Sequence, residues 1–268
     1  MKTLEEMINE KRIMFNRREP KYNNVVILGG GGGSGKGFIS EKLLGIKGKT
    51  FDVDVLKEMA LKSILVKQKI KSKLGLDISK LDLKNPKDTT TLHLALDDAG
   101  LNKKYKDTFI QSIDPNNQHK PNIIFDVTLK DMPKFSSLCQ EATMIGYEPK
   151  NIHIVWVLNK LSIALEQNRS RNRIVYDDII ISTHKGVALT MKEIFNYFSQ
   201  NSEICMDGDI WIVFNVKDED TKLISSEKGG SYIEKATYIQ LKESGKKIKS
   251  LSEFSDEILH KIEHYHKL

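Results

Sequence analysis

The strongest constraint in this chain is the run Gly29-Gly-Gly-Gly-Gly-Ser-Gly-Lys-Gly37, which follows directly on the apolar, mostly β-branched stretch Asn24-Val-Val-Ile-Leu28. Consecutive glycines bury nothing and cost conformational entropy, so such a run marks a place where backbone itself must approach something closely. A short apolar run ending at glycine reads as a strand of a parallel sheet buried on both faces. Behind the loop, Phe38-Ile-Ser-Glu-Lys-Leu-Leu44 reads as a helix. Gly30, Gly35 and Lys36 then satisfy the spacing G-x-x-x-x-G-K in its strand-loop-helix context. Here the N–H groups along Gly30, Gly31, Gly32, Gly33, Ser34, Gly35, Lys36 and Gly37 can turn inward around phosphate oxygens, while the Lys36 ammonium reaches the β and γ phosphates. A flexible turn would require neither the strand nor the lysine. The expected ligand is ATP with Mg²⁺. One position departs from the motif: Gly37 stands where Ser or Thr usually ligates the metal. Water could fill that position, with Ser34, Ser40 or a downstream carboxylate helping.

Similar apolar runs recur at 50–53, 122–127, 151–158 and 209–216, most of them separated by segments long enough for crossover helices, which predicts an α/β fold on a five-stranded sheet. Roughly 70 residues lie between the second and third runs, far more than a minimal crossover, and imply an inserted helical subdomain. Its first part carries Lys57, Lys62, Lys67, Lys69, Lys71 and Lys73 against Glu58 alone. This is either a solvated helix face or an anion-binding one. The apolar spacing of Leu4, Met7, Ile8, Met14 and Phe15 predicts an N-terminal helix ending at Pro20. Ser250-Leu-Ser-Glu253 reads as a capping box opening a packing helix with Leu251, Phe254, Ile258, Ile262 and Tyr265 on one face.

Thr50-Phe-Asp-Val-Asp-Val-Leu-Lys57 places Asp52 and Asp54 at the carboxyl edge of the sheet, where ligands bind. A carboxylate there can take the proton of an attacking hydroxyl, and a cation three residues on can hold the acceptor. The bland alternative makes Asp54 the cap of a helix beginning at Val55. The third run, ending Phe125-Asp126-Val-Thr128, is an hhhD pattern that supports Mg²⁺ directly or through water. Asp126 is the candidate metal carboxylate, with Asp52 acting through water as the other. Asp52, Lys57 and Thr128 are the candidates for holding an acceptor. After the fourth run, Arg169, Arg171 and Arg173 crowd one short segment. Residues two apart do not share a helix face, so they read as a helix end or lid that wraps an anion. His184 follows it, and Asn215, closing the fifth run, would lie beside the phosphate loop.

The order GGGGGSGKG, FDVDVLK, NIIFDVT and NRSRNRIV resembles the P-loop kinases of the zeta-toxin and phage polynucleotide kinase group, over residues 24 to about 216. The resemblance implies a P-loop NTPase fold with strand order 2-3-1-4-5 and helices on both faces, ATP and Mg²⁺ as cosubstrates, and a catalytic aspartate in a D-x-x-R-like element. That aspartate falls on Asp54, with Lys57 in the place of Arg; the phosphate-binding lysine falls on Lys36 and the lid arginines among Arg169, Arg171 and Arg173. The implied organisation is an N-terminal helix over 1–22, a kinase domain over 23–217 with an acceptor-binding insertion at about 57–120 and a lid at about 164–190, and a C-terminal helical extension over 218–268. The acceptor would be a 5′-hydroxyl or hydroxymethylated base of nucleic acid, a nucleotide-type molecule, or a UDP-linked amino sugar. A non-catalytic ATP-binding module is the rival reading.

Forty-two Lys and Arg against 36 Asp and Glu give a net charge of +6, which favours an anionic acceptor such as DNA or RNA. Lys246, Lys247 and Lys249 add to that lean. Aromatic residues are 7% of the chain and do not interleave with the basic stretch, so no stacking platform for single strands is visible. Two cysteines without metal-ligand spacing speak against zinc and suit a reducing compartment. With no run of about 18 apolar residues, the expectation is a protein without a membrane partner, in the cytoplasm, or the host cytoplasm if phage-encoded. An antitoxin-like partner is compatible with the resemblance, but no residue points to one.

Overall fold

Five parallel strands form where the apolar runs lie: β1 (Val25–Gly29), β2 (Lys49–Asp52), β3 (Ile123–Val127), β4 (Ile152–Leu158) and β5 (Ile210–Phe214). The computed structural model describes residues 12–200, 205–225, 231–250 and 253–266. In space the strands run β2-β3-β1-β4-β5, and the sheet then continues through β7 (Ser231–Lys242) to β6 (Thr221–Ser225). The sheet is thus seven-stranded and mixed, not five-stranded and parallel. Residues following β5, expected to be helical, fold back as an antiparallel hairpin whose second strand pairs with β5 from Phe214↔Thr237 to Ile210↔Lys242. Without it β5 would be an open edge. The pairing escaped the sequence because β7 alternates Lys, Glu and Gln with Ile and Leu, whereas β1, β3, β4 and β5 are predominantly apolar.

All residues of β1 and β4 are buried, and their side chains alternate between two cores. Val25, Ile27, Ile154, Trp156, Ile212 and Phe214 face one layer, packed by Phe135, Leu138 and Ala142 of α6 (Met132–Met144) and Val187, Met191 and Ile194 of α8 (Asp177–Ser199). Val26, Leu28, Val155, Val157 and Val213 face the other, packed by Ile39 of α1 (Lys36–Lys42) with Leu43. The insertion builds a third core of its own from Leu56 and Ala60 of α2 (Val53–Lys62), Ile70 of α3 (Ile64–Leu74), and Leu92, Ala95 and Leu96 of α4 (Pro86–Asp98). It is tied to the sheet by α5 (Leu101–Gln111), whose Tyr105 stacks on Phe51 of β2 with ring centroids 5.3 Å apart. Lys62, Lys69, Lys71 and Lys73 are exposed, whereas Lys57 is only 11% exposed and turns into the site.

No N-terminal helix forms among the described residues before β1. Over 12–20 the chain turns with positive φ at Asn16 and Arg17, and Ile13 bridges to Leu44 while buried with Phe15; residues 1–11 lie outside the described residues. The last helix, α9 (Asp256–His266), starts later than the capping box implied. The Glu253 carboxylate does accept from the Ser250 N–H at 2.7 Å, ahead of the helix. Of the expected apolar face, Leu251 and the Ile258 side chain lie outside the described residues. Tyr265 is buried and donates to Asp220 at 2.6 Å, docking α9 on the turn after β5. Among the described residues no helix is long and apolar enough to cross a membrane.

At the amino edge of the sheet, opposite the glycine loop, fully buried His153 and Asp209 join β4, the start of β5 and the N-terminal turn. The Asp209 N–H donates to His153 Nδ1 at 2.9 Å, an Asp209 carboxylate oxygen lies 3.2 Å from the same nitrogen, and Nε2 is 3.1 Å from Asn24 Oδ1. Burial holds the imidazole below its ordinary pKa, against the pull of Asp209. The folded state therefore resists a proton that the unfolded chain accepts below about pH 6.5. Stability should be fully present above that pH and fall as the pH drops toward 5. A urea midpoint decreasing over that interval, with a shallower slope in His153→Gln, is the expected result.

Candidate active site

The glycine loop leaves β1 at Gly29 and returns as α1, with Gly35 as N-cap at φ 84° and no capping side chain. The loop is braced from behind. Asn215 Nδ2 donates to the Ser34 carbonyl at 2.9 Å while its own oxygen accepts from Thr221 Oγ1 at 2.9 Å. From α8, Thr183 Oγ1 accepts from the Gly32 N–H at 3.2 Å and His184 Nε2 donates to the Gly32 carbonyl at 2.9 Å. Asn215 thus stands beside the loop as a brace and is not among the residues lining the cavity in front of it. His184 shares this bracing task, and burial keeps its pKa below the ordinary value. Thr183 was missed entirely, because nothing in its neighbourhood distinguishes it from other helix threonines.

The loop faces a cavity of about 530 Å³ lined by Gly32 to Gly37, Asp52, Asp54, Asp126, Thr128, Arg171 and Arg173, with Val55, Glu58, Gln167 and Ser170 at its wall. The Lys36 ammonium donates to the Gly30 carbonyl at 3.0 Å and sits 3.7 Å from Asp126. Asp52 ends β2 in register with Asp126 of β3 and accepts from the Asp54 N–H at 2.7 Å, so Asp52 is the helix cap. That frees the Asp54 carboxylate, which meets Lys57 at 3.2 Å through one oxygen and Arg173 through the other. Three carboxylates thus converge with three cations. Burial, reinforced by Asp52 and Asp54 against Lys36, raises the Asp126 pKa to about 6. Burial raises Asp52 as well. At Asp54 partial burial is outweighed by Arg173, Lys57 and Lys36, and the pKa lies below the ordinary value.

The three arginines separate. Arg171 and Arg173 line the cavity from the segment 171–176 that joins α7 (Leu161–Ser170) to α8, whereas Arg169 turns outward and pairs with Asp177 at 2.5 Å. Lys57 reaches Asp54 without lining the cavity wall. Lys246, Lys247 and Lys249 follow β7 past its pairing with Ile210, at the opposite edge of the sheet, and contribute nothing to this cavity.

No protein-family model matches the chain, and no curated protein matches it in sequence. Among solved structures, the AvrRxo1-ORF1:AvrRxo1-ORF2 structure with sulphate ions is similar at a TM-score of 0.49 and 14% identity, over 92% of this chain. This chain spans 65% of the length of that one. A structure from the PezAT chromosomal toxin-antitoxin system of Streptococcus pneumoniae follows at 0.42 and 14%, covering 77% of this chain and 71% of that one. Deoxyadenosine kinase from M. mycoides with bound dATP has 0.33 and 15%, covering 71% and 90%. Likeness at this level leaves the chemistry to be argued from the residues of this chain.

The loop makes a contrast that can be measured. Gly33 has φ +73°, and a Cβ there would lie 2.4 Å from the Ala164 carbonyl oxygen; around Gly37 a Cβ would meet nothing within 4 Å. Gly33→Ala should cost about 1–2 kcal/mol for the left-handed backbone alone and distort the loop. Gly37→Ser should fold with no loss, since serine is the better helix former. Thermal denaturation of the two variants side by side checks this.

Proposed function

We propose that this protein is an ATP-dependent phosphotransferase that moves the γ-phosphoryl group to a hydroxyl of a nucleotide-type or nucleic-acid acceptor. The observation that carries the reading is the convergence, in one cavity, of the glycine loop with Lys36, the Asp54 carboxylate and two guanidinium groups. Backbone N–H groups of the loop hold the triphosphate, and Lys36 moves from Gly30 and Asp126 to its β and γ oxygens. Asp54, free of the capping task and held ionised by Arg173 and Lys57, accepts the proton of the attacking hydroxyl. Arg171 and Arg173 neutralise charge on the transferring group and keep water from competing. Thr128 and Asp52, which line the cavity, hold the acceptor, and Lys57 acts on it through Asp54.

Mg²⁺ fits this residue set. Asp126 and Asp52 are register neighbours whose crowding with Asp54 a cation would relieve, and Gly37 leaves open space beside them. Among the described residues no three His, Cys, Asp or Glu side chains form a ready metal cluster. When bound, it would neutralise charge between the β and γ phosphates.

The acceptor class rests on cations near Asp54 and on the exposed lysines of α2 and α3. Initial rates on a 5′-hydroxyl oligonucleotide and on its single nucleoside, at about 50 and about 200 mM salt, test it. A polyanion acceptor should show the lower KM, rising steeply with salt. Transfer only to a UDP-linked amino sugar, indifferent to oligonucleotide, would overturn the acceptor assignment.

A further inference from the structure

The two guanidinium groups facing the cavity stand on irregular backbone, and loops of that kind hold side chains loosely unless tied down. This one is tied by a side chain outside the cavity. Asn168, in the last turn of α7 and fully buried, donates from Nδ2 to the Val175 carbonyl at 2.8 Å and accepts at Oδ1 from the Val175 N–H at 3.2 Å. One amide thereby pairs both backbone groups of a residue seven positions on, as a neighbouring strand would. From the other side the Ile174 N–H donates at 2.8 Å to the Leu83 carbonyl, which also accepts from Thr89 Oγ1 at 2.9 Å. The residue before these two fixed positions is Arg173, the partner of Asp54; Arg171 lies between the clamp's two ends.

We infer that Asn168 is a positioning residue for the phosphoryl transfer proposed above: its side-chain amide closes the segment 169–175 so that Arg171 and Arg173 are held over the transferring group. Asn168 does not line the cavity, so its part is played through those arginines. The inference rests on the reading of the cavity as a triphosphate site. Misplacing a charge-stabilising group by about an ångström can slow a reaction about 100-fold without weakening ground-state binding in proportion.

The test compares wild type, Asn168→Ala, Arg173→Ala and the double variant. Asn168→Ala should lower kcat about 10- to 100-fold while the Kd for a fluorescent ATP analogue stays within about threefold, because the glycine loop is untouched. The double variant should be slower than Arg173→Ala alone by clearly less than Asn168→Ala costs in the wild type, since the share of the Asn168 effect that runs through Arg173 is already gone and only the share through Arg171 remains. Effects that multiply, or a loss confined to thermal stability, would overturn the inference. Should Asn168→Ala fail to fold, Asn168→Asp keeps the acceptor for the Val175 N–H, loses the donor, and serves in its place.

A second arm needs no turnover. Trypsin cuts after Arg171 and Arg173, and saturating ATP should protect both bonds in wild type. In Asn168→Ala, with ATP still bound, cleavage should be at least about tenfold faster as the segment opens. Equal cleavage overturns the positioning role even if transfer is observed. Faster cleavage in a protein that transfers no phosphate sustains the clamp while removing the kinase reading.

Discussion

Asp54→Asn should lower turnover by about 10²- to 10⁴-fold while leaving ATP affinity within about threefold of wild type, the range set by loss of a general base. The substitution is nearly isosteric and removes only charge and proton-accepting power. Asp52, not Asp54, caps α2, so the helix start survives. Two cations are left facing a neutral amide. Lys57 and Arg173, both largely buried, lose their shared partner, which should cost some stability but leave the loop and its bracing intact. A protein that only binds ATP would be indifferent to the change. Parallel calorimetric titration with ATP and single-turnover rates separate these outcomes.

Lys36→Ala should fail one step earlier. Its ammonium is the cation nearest the loop, held between the Gly30 carbonyl and Asp126 and ready to exchange both for phosphate oxygens. Removing it should reduce turnover by about 10²- to 10³-fold, as with other preorganised donors to a developing anion. It should weaken ATP binding as well, which Asp54→Asn does not. Lys36 also opposes the burial that raises Asp126, so its loss leaves three crowded carboxylates with one cation fewer. Calorimetric titration should therefore show weakened ATP binding in Lys36→Ala alone, while single-turnover rates fall in both variants.

The part of the fold that carries the cavity was legible because β1 and β4 are buried along their whole length and β3 and β5 nearly so, although β2 is half exposed. β1, β3, β4 and β5 appear in the sequence as predominantly apolar runs, and the glycine loop follows the first of them. β6 and β7 were illegible for the converse reason, since a hairpin with one solvated side reads as alternation and resembles an amphipathic helix over short stretches. At the site, residue types at loop and strand ends were visible, but their division of labour was not. Asp52 and Asp54 differ only in which one satisfies the N–H groups of α2. Arg169, Arg171 and Arg173 differ in whether they precede or follow the helix end. Asn215 was expected beside the loop and His184 only after the arginine segment, yet both donate to the loop's carbonyl groups from behind. Asn168 left no trace at all, because a side-chain amide bonded to backbone seven residues away has no spacing rule.

The fate of the γ-phosphate decides the central claim. Wild-type protein with γ-labelled ATP and Mg²⁺ is given 5′-hydroxyl DNA and RNA, hydroxymethylated DNA, nucleosides and a UDP-linked amino sugar, with Lys36→Ala and Asp54→Asn alongside. The predicted result is label covalently attached to a hydroxyl of a nucleotide-type or nucleic-acid acceptor and absent from both variants. Label released only as inorganic phosphate, or attached equally well by Asp54→Asn, would contradict it.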